Sequence, residues 1–422
     1  MKKTSKKISV AVVGAGLAGL ATAYELAKAG IAVTVFESEN RVGGRVKSVL
    51  VGKQSVDVGG FIIYPWYTHY HRLINELGLV NQLQPIGKVN VVYQSADRTL
   101  YTDTKTIALF EKLKLGKGLL QAWRAQKPNF RTPDLLAFGG QTIGEFLKKQ
   151  GVASGQLAEF IDTVNQGYCY ASMSEYEMSF YAPFVFQTLA KGDLRTGAFF
   201  SGNNQLFADV LAQKITELGG IITVRSAVTG VRANTIVCKG KTQKFSAIVM
   251  ASPVSDLYQK IITAPKFSYT HFYAAIMKMP RAVELDKHKN WSALFVAPKT
   301  KDSCITSLIS AKHMVKTLSD NYLIINYKVM SDRAISEKVL TKQLNQELNR
   351  IVPGCGLGKL VAAHQWKVTM PIATTKFVKE VRAKQGKNNF YFAGDYLGAP
   401  SMETAVSSGV AVADLIKQQL LK

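Results

Sequence analysis

The sequence predicts an α/β chain in which a doubly wound, nucleotide-binding type of parallel sheet is interleaved with a second, α+β domain. Three observations predict it. A β-branched run, Ile8 to Val13, leads into Gly14-Ala15-Gly16-Leu17-Ala18-Gly19 and then into apolar residues at helical spacing. A second apolar run, Ile31 to Phe36, ends on an acid, Glu37. Near the far end a third run, Phe390 to Ala393, turns at Gly394-Asp395 into a loop and a helix from about Glu403.

The first element is strand, tight glycine turn and helix in the order a Rossmann-like dinucleotide site requires. Gly14 permits the turn, Gly16 lets backbone amides approach a pyrophosphate, and Gly19 lets helix and strand pack closely. Ala15, Leu17 and Ala18 complete the candidate binding turn, at a helix N-terminus whose dipole favours an anion. The helix ends at Gly30 and the next strand delivers Glu37, 18 residues beyond Gly19, near the roughly 20 expected for a carboxylate on ribose hydroxyls. The competing reading is a glycine turn without a ligand and an incidental surface Glu. Arg41-Val42-Gly43-Gly44-Arg45 follows at once, and a guanidinium suits a phosphate through bidentate geometry.

With these residues the chain resembles the flavin amine oxidase, phytoene desaturase and protoporphyrinogen oxidase superfamily, which follows its ribose-binding Glu with R-x-G-G-R. The resemblance implies FAD as cofactor, with Gly43, Gly44 and Arg45 on its pyrophosphate; Arg41 reads as a solvated turn residue. It implies the same for the far end: Gly394 and Asp395 on the ribityl and phosphate region, and the backbone of Met402, Glu403, Thr404 and Ala405 on the flavin pyrimidine edge. The Gly59-Gly60 turn belongs with these segments, and the Val228 backbone would flank adenine. A C-terminal helix that merely packs on a sheet is the bland alternative. The cofactor domain is then discontinuous, 1–85, 200–255 and 385–422, and the substrate-binding domain comprises 86–199 and 256–384. No cysteine is close in sequence to Asp395 or Glu403, so the FAD is expected to be held non-covalently.

Composition sets the outer limits. At 422 residues and 47% hydrophobic content two domains with substantial cores are expected. No window approaches the roughly 20 apolar residues of a membrane span. Cys169, Cys238, Cys304 and Cys355 form no C-x-x-C pair, so no metal site is expected and a reducing cytoplasm fits. The lysine-rich start followed by an apolar stretch imitates a secretory signal, but the spacing of Gly14, Gly16 and Gly19 has its own explanation. A net charge of +24 invites nucleic acid or an anionic membrane as partner. No nucleic-acid-binding pattern accompanies it, so no nucleic acid is expected. "VPGCGLG" at Val352 to Gly358 lacks a preceding strand and a later acid and reads as a loop. With one nucleotide site, electrons are expected to pass to oxygen, a quinone or another small acceptor rather than to NAD(P)H.

The substrate side offers fewer signals. Relatives of the amine oxidase type carry a lysine near the flavin, where "THFYAAIMKMP" places Phe272 unless Lys278 fills the role. They also carry a tyrosine before the Met-Glu of the last helix, where this chain has Ser401. The aromatic cage for a simple amine therefore reads as incomplete. Tyr64, Trp66, Tyr67, Tyr168, Tyr170 and Trp366 are candidate pocket aromatics, with ordinary core packing as the alternative. Trp366 and His364 alternate in a strand-like run, in a region that faces the flavin in the superfamily, and His364 is the candidate acid or base. Three functions follow: an FAD-dependent oxidase or dehydrogenase taking a hydride from a C–N or C–C bond of a largely apolar small molecule; a protoporphyrinogen-oxidase-like enzyme or redox-neutral flavin isomerase; and a basic surface-binding protein with a structural nucleotide. Finally, Lys105 to Arg131 mixes leucines and lysines at helical spacing. It reads as a peripheral contact with the inner membrane face, or as an ordinary helix with its leucines turned inward.

Overall fold

The computed structural model describes residues 8–86, 90–101, 107–125, 138–191, 196–200, 203–285, 288, 291–297 and 304–421. Five strands form a wholly parallel sheet in the order Phe390–Phe392, Ala247–Met250, Ser9–Val13, Ala32–Phe36 and Ile221–Thr223. Its central strands are almost uninterrupted apolar runs, as a sheet covered on both faces requires: Val10, Ala11, Val12, Ile248, Val249, Met250 and Phe392 are wholly buried.

One face is covered by three helices, Leu17–Lys28, Gln205–Glu217 and Met402–Leu420. The first is buried over nearly its whole circumference because it lies against the other two. Where it meets the last helix, Thr22 Oγ1 donates to the Gly409 carbonyl at 3.1 Å. On the opposite face, Val13, Phe36, Met250 and Phe392 pack with a three-stranded antiparallel sheet, Val228–Arg232, Thr235–Cys238 and Lys241–Lys244, and with the helix Thr375–Lys384.

A second sheet has seven strands in the order Lys359–Trp366, His271–Lys278, Tyr322–Val329, Cys304–Ser310, Ala293–Val296, Val91–Gln94 and Leu100–Tyr101. All its neighbours are antiparallel except Ala293–Val296 with Val91–Gln94. Side chains alternate across it. Tyr273, Ala275, Leu323 and Ile325 point to a core shared with the amphipathic helix Glu337–Ile351, while Phe272, Ala274, Ile276 and Ile324 face the other way. That second face looks towards helices Gln156–Cys169 and Met178–Lys191, and the space between them is part of the site. "VPGCGLG" spans the end of the Glu337–Ile351 helix and the loop after it.

Candidate functional site

The glycine turn is built by contacts that only glycine allows. A Cβ on Gly19 would stand 2.0 Å from the Gly14 carbonyl oxygen, so the first helix sits directly on the turn that precedes it. Gly44 has φ +56°, a left-handed conformation costly for most side chains, and a Cβ there would approach the Gly16 Cα to 3.1 Å. The two turns are stitched together: the Gly43 amide donates to the Ala15 carbonyl at 2.8 Å. Arg41 belongs to this stitching. Its guanidinium donates to the carbonyls of Val42, Gly44 and Val46 and to Gln205 Oε1, so it is a staple and not a solvated turn residue.

Glu37 is buried, and its carboxylate accepts from the amides of Ala15 at 2.7 Å and Glu39 at 2.8 Å and from the Ser38 hydroxyl at 3.1 Å. These three bonds fix the carboxylate beside the glycine turn and leave lone-pair capacity for a ligand. Arg45 and Asp395 meet across 350 residues in a bidentate pair, Nη1 to Oδ2 at 2.7 Å and Nη2 to Oδ1 at 2.8 Å. Nη1 also donates to the Thr369 carbonyl at 2.6 Å. The pair joins the R-V-G-G-R turn, the A-G-D turn and the loop after the seven-stranded sheet's edge strand. Arg45 keeps unused donors, which leaves it able to take a phosphate.

These elements surround a cavity of about 910 Å³, at the upper end of the roughly 300–1,000 Å³ of small-molecule sites. Of the residues singled out in the sequence, Gly14, Gly16, Leu17, Ala18, Glu37, Gly43, Gly44, Arg45, Gly59, Gly60, Val228, Gly394, Asp395, Met402 and Ala405 line it. So do Tyr64, Tyr67, Tyr168, Tyr170, His364 and Trp366. Ala15 and Gly19 lie behind the lining, in the packing that shapes the turn. Glu403 and Thr404 are not part of the wall. The Glu403 carboxylate accepts from the amides of His69 and Tyr70 and from His69 Nδ1, each at 2.9 Å, so it caps the helix Thr68–Glu76. The Thr404 amide is taken by the Ser401 hydroxyl at 3.0 Å, which makes Ser401 the cap of the last helix.

Lys278 is a correction. It lies at the far end of its strand, exposed, with Nζ 5.5 Å from the Tyr322 ring centroid, while Phe272 at the near end lines the cavity and stacks on Tyr170 at 4.1 Å. The two lie six positions apart in the strand, and at about 3.4 Å per residue no rotamer closes that distance. Trp66 is buried against Tyr64 and Tyr67 and does not reach the cavity. Trp366 does, with Nε1 donating to the Val58 carbonyl at 2.6 Å and its ring 4.4 Å edge-on from His364. Burial, reinforced by the cations Lys47 and Arg41, pushes the His364 imidazole from 6.5 down to about 4. It is neutral near pH 7 and accepts a proton there poorly. Its burial contributes stability above about pH 6.5 that is lost as the pH falls towards 4.

Sequence reasoning missed several lining residues: Cys169, Asn165, Ser292, Ser307, His313, Asn326 and Thr369. No motif marks them, because they come from separate elements. Cys169 bears on covalent attachment, since it lines the cavity although it is distant in sequence from Asp395. Burial pushes its thiol up to about 12, so it is not the thiolate a thioether bond would need. Among the described residues no group of His, Cys, Asp and Glu is arranged to hold a metal.

A family model described as "Flavin containing amine oxidoreductase" matches residues 17–417. The chain belongs to the flavin-containing amine oxidoreductase family. It is an FAD-dependent oxidoreductase. It is 24% identical over 482 residues to protoporphyrinogen oxidase 2, chloroplastic/mitochondrial, of Arabidopsis thaliana, covering 96% of this chain and 93% of that protein. It is 22% identical over 469 residues to 15-cis-phytoene desaturase, chloroplastic/chromoplastic, of Glycine max, covering 98% and 80%. Among solved structures, the CLA-producing fatty acid isomerase from P. acnes superposes with a TM-score of 0.72 at 14% identity over 99% of this chain and all of that one, which establishes a shared fold.

The residues present fit FAD. Gly16, whose Cβ position is clear of other atoms, opens the backbone of the first turn to a pyrophosphate. The Thr369 hydroxyl at the cavity wall is buried and unpartnered. Glu37 would hold the ribose and Arg45 the phosphates. Glu37→Ala is expected to lower FAD affinity about tenfold or more, from the loss of a charged acceptor worth roughly 1.5–3 kcal/mol. Flavin absorbance per chain after extended dialysis checks this, and full retention would remove Glu37 from the ribose.

Proposed function

We propose that this oxidoreductase desaturates a C–C bond, or secondarily a C–N bond, of a neutral and largely apolar small molecule, a C–H hydride passing to the flavin and a proton to solvent, with oxygen or a quinone as final acceptor. In this reading segments 1–85, 200–255 and 385–422 hold FAD, and 86–199 and 256–384 cover the substrate. One observation carries it. Carboxylates and the guanidinium of the cavity, Glu37, Glu39, Asp395 and Arg45, all belong to the cofactor-side turns. Among the described residues the remaining wall is built of side chains such as Ile62, Tyr168, Tyr170, Phe184, Phe272 and Phe295, with Lys367 as its one charged group and two histidines that burial keeps neutral near pH 7. An ammonium finds no anionic partner on this wall, and a multiply carboxylated porphyrinogen finds one cation.

Bound FAD supplies the hydride acceptor. The chain's part is to bind, orient and dry the reacting bond. Trp366, held by its bond to Val58, and the Tyr170–Phe272 stack form rigid planes against which a flat or chain-like molecule packs. His364, neutral and set in the same strand as Trp366, is available as a hydrogen-bonding partner and not as an acid near neutrality. Anaerobic bleaching of the flavin by polyenes, but not by simple amines or porphyrinogens, is the expected result. Bleaching by amines alone would overturn the reading, and bleaching without net oxygen uptake in air would point to isomerisation.

We further propose that this protein is cytoplasmic and docks on an anionic inner membrane face. The helix Leu109–Ala125 exposes Leu109, Phe110, Leu113 and Leu120, with relative exposures of 71%, 65%, 62% and 45%. They recur at four- and seven-residue steps with Phe110 alongside, one stripe of the helix. Leu115 and Leu119 supply the inward face instead, so the stripe is not part of the core. Lys112, Lys114 and Lys117 flank it, with Lys114 Nζ 4.2 Å from the Phe110 ring centroid. Residues 105–106 and 126–131 of the same segment lie outside the described residues. Among the described residues no helix is long and apolar enough to cross a membrane. Replacing the three lysines by Glu is expected to weaken cosedimentation with phosphatidylglycerol vesicles at low salt roughly hundredfold, at about 1 kcal/mol for each lysine near the surface. Unchanged sedimentation would end the proposal.

A further inference from the structure

The floor of the substrate half is a sheet face, and its register arranges side chains in rows. One row crosses five strands: His364 lies opposite Ala274, Ala274 opposite Asn326, Asn326 opposite Ser307, and Ser307 opposite Phe295. The rows on either side are apolar where they reach the cavity, with Trp366 and Phe272 in one and Ile309 and Ala293 in the other. The middle row therefore sets three polar side chains, His364, Asn326 and Ser307, in an otherwise aromatic and aliphatic floor. Such groups are costly to bury unless they are used.

Its chemistry is specific. Asn326 and Ser307 are buried, and Asn326 Nδ2 donates to Ser307 Oγ at 2.9 Å. The Ser307 hydroxyl accepts that bond and keeps its own hydrogen to donate. Asn326 Oδ1 accepts no hydrogen bond from the described residues. The pair thus presents one acceptor and one donor to the cavity, with no net charge. Ser292 and His313 line the cavity nearby and, among the described residues, are bonded to each other and to backbone: Ser292 Oγ lies 3.3 Å from His313 Nε2 and accepts from the Asn90 amide at 3.2 Å. Burial keeps the His313 imidazole below its ordinary range, so this neighbour is neutral as well.

We propose that Asn326 and Ser307 form a subsite for a neutral hydroxyl or carbonyl group on the otherwise apolar substrate, and so select which end of it lies against the cofactor. The inference rests on the neutral, apolar substrate class proposed above and narrows it to members that carry one neutral polar group. An alkanoate would meet the unpartnered Asn326 oxygen with like charge, and an alkylammonium would meet the Ser307 proton. Neither has a counter-ion in this row.

The test uses the purified holoenzyme and three probes of equal chain length, octan-1-ol, octanoate and octylammonium, titrated against the absorbance of the bound flavin. Octan-1-ol is expected to perturb the spectrum at a concentration about tenfold lower than either ion. Asn326→Leu should abolish that preference and Ser307→Ala should reduce it about threefold, while Asn326→Asp should shift the preference to octylammonium. Flavin content and melting temperature of each variant show whether it is folded, and Ser307→Ala serves if Asn326→Leu is not. Equal binding of the three probes, or an Asn326→Leu holoenzyme that still prefers octan-1-ol, overturns the subsite. The experiment reads binding and not turnover. If no neutral apolar compound bleaches the flavin, the proposed function fails while the probe preference is still measured on its own terms.

Discussion

Arg45→Ala is expected to purify with little flavin and to melt well below the parent protein. The substitution removes three hydrogen bonds at once, two to Asp395 and one to the Thr369 carbonyl. It also leaves the Asp395 carboxylate, whose side chain is 8% exposed, without its cation. Breaking a buried pair from one side costs roughly 3–5 kcal/mol. The lower end applies here because the Arg45 side chain keeps 33% of its surface open. The guanidinium that would take the FAD phosphate is lost in addition, so flavin occupancy should fall further than stability alone requires. Arg45→Lys keeps the charge but loses the fork, and should recover stability more than flavin binding. The ratio of flavin to protein absorbance, with a thermal melt of each variant, checks this; an alanine variant that stays fully yellow would exclude the pair from the site.

Gly19→Ala is the second large effect. One methyl group placed 2.0 Å from the Gly14 carbonyl oxygen meets backbone and not a movable side chain. The helix must lift from the turn, and its other face is already filled by the last helix, where a Cβ on Gly409 would stand 2.3 Å from the Ala18 carbonyl oxygen. Overpacking of this kind costs about 1–3 kcal/mol even where side chains can yield. Loss of soluble, flavin-loaded protein is expected. Gly16→Ala is the informative partner. Gly16 has φ −72° and its Cβ position is clear, so that variant should fold and lose cofactor affinity only. If both variants behave alike, in melting temperature and in flavin content, the separate roles of the two glycines are wrong.

The parallel sheet and its turns were legible because their information is local. Turn glycines, a strand-ending acid and a doubled arginine each carry meaning within a few residues, and the parallel strands read as apolar runs. Pairing of Arg45 with Asp395 was not legible, since neither residue's neighbourhood names the other. Arg41 was misread for a related reason: a charged residue in a turn is usually solvated, and only the folded loop shows the four carbonyl and amide oxygens that surround it. Lys278 was misplaced because strand period tells which face a residue takes but not which end of the strand approaches the flavin. The polar row through Asn326 and Ser307 is a property of register across five strands, and register is written in the pairing and not in any one strand. The exposed leucines of 109–120 followed a helical period that fits an inward or an outward face equally well.

The order of strands in the parallel sheet has a consequence for how the protein is made. Its central neighbours, Ser9–Val13 and Ala247–Met250, are synthesised far apart in time, and the edge strand Phe390–Phe392 comes later still. A nascent polypeptide emerging from the ribosome therefore carries a finished glycine turn with no partner for Arg45 and an uncovered strand edge at residues 247–250. Such edges and apolar faces invite association with other chains, and folding dominated by distant pairings is slow. A site assembled from the Arg45 and Asp395 turns is complete only after both have been made, and chain without bound ligand is the less stable form by mass action.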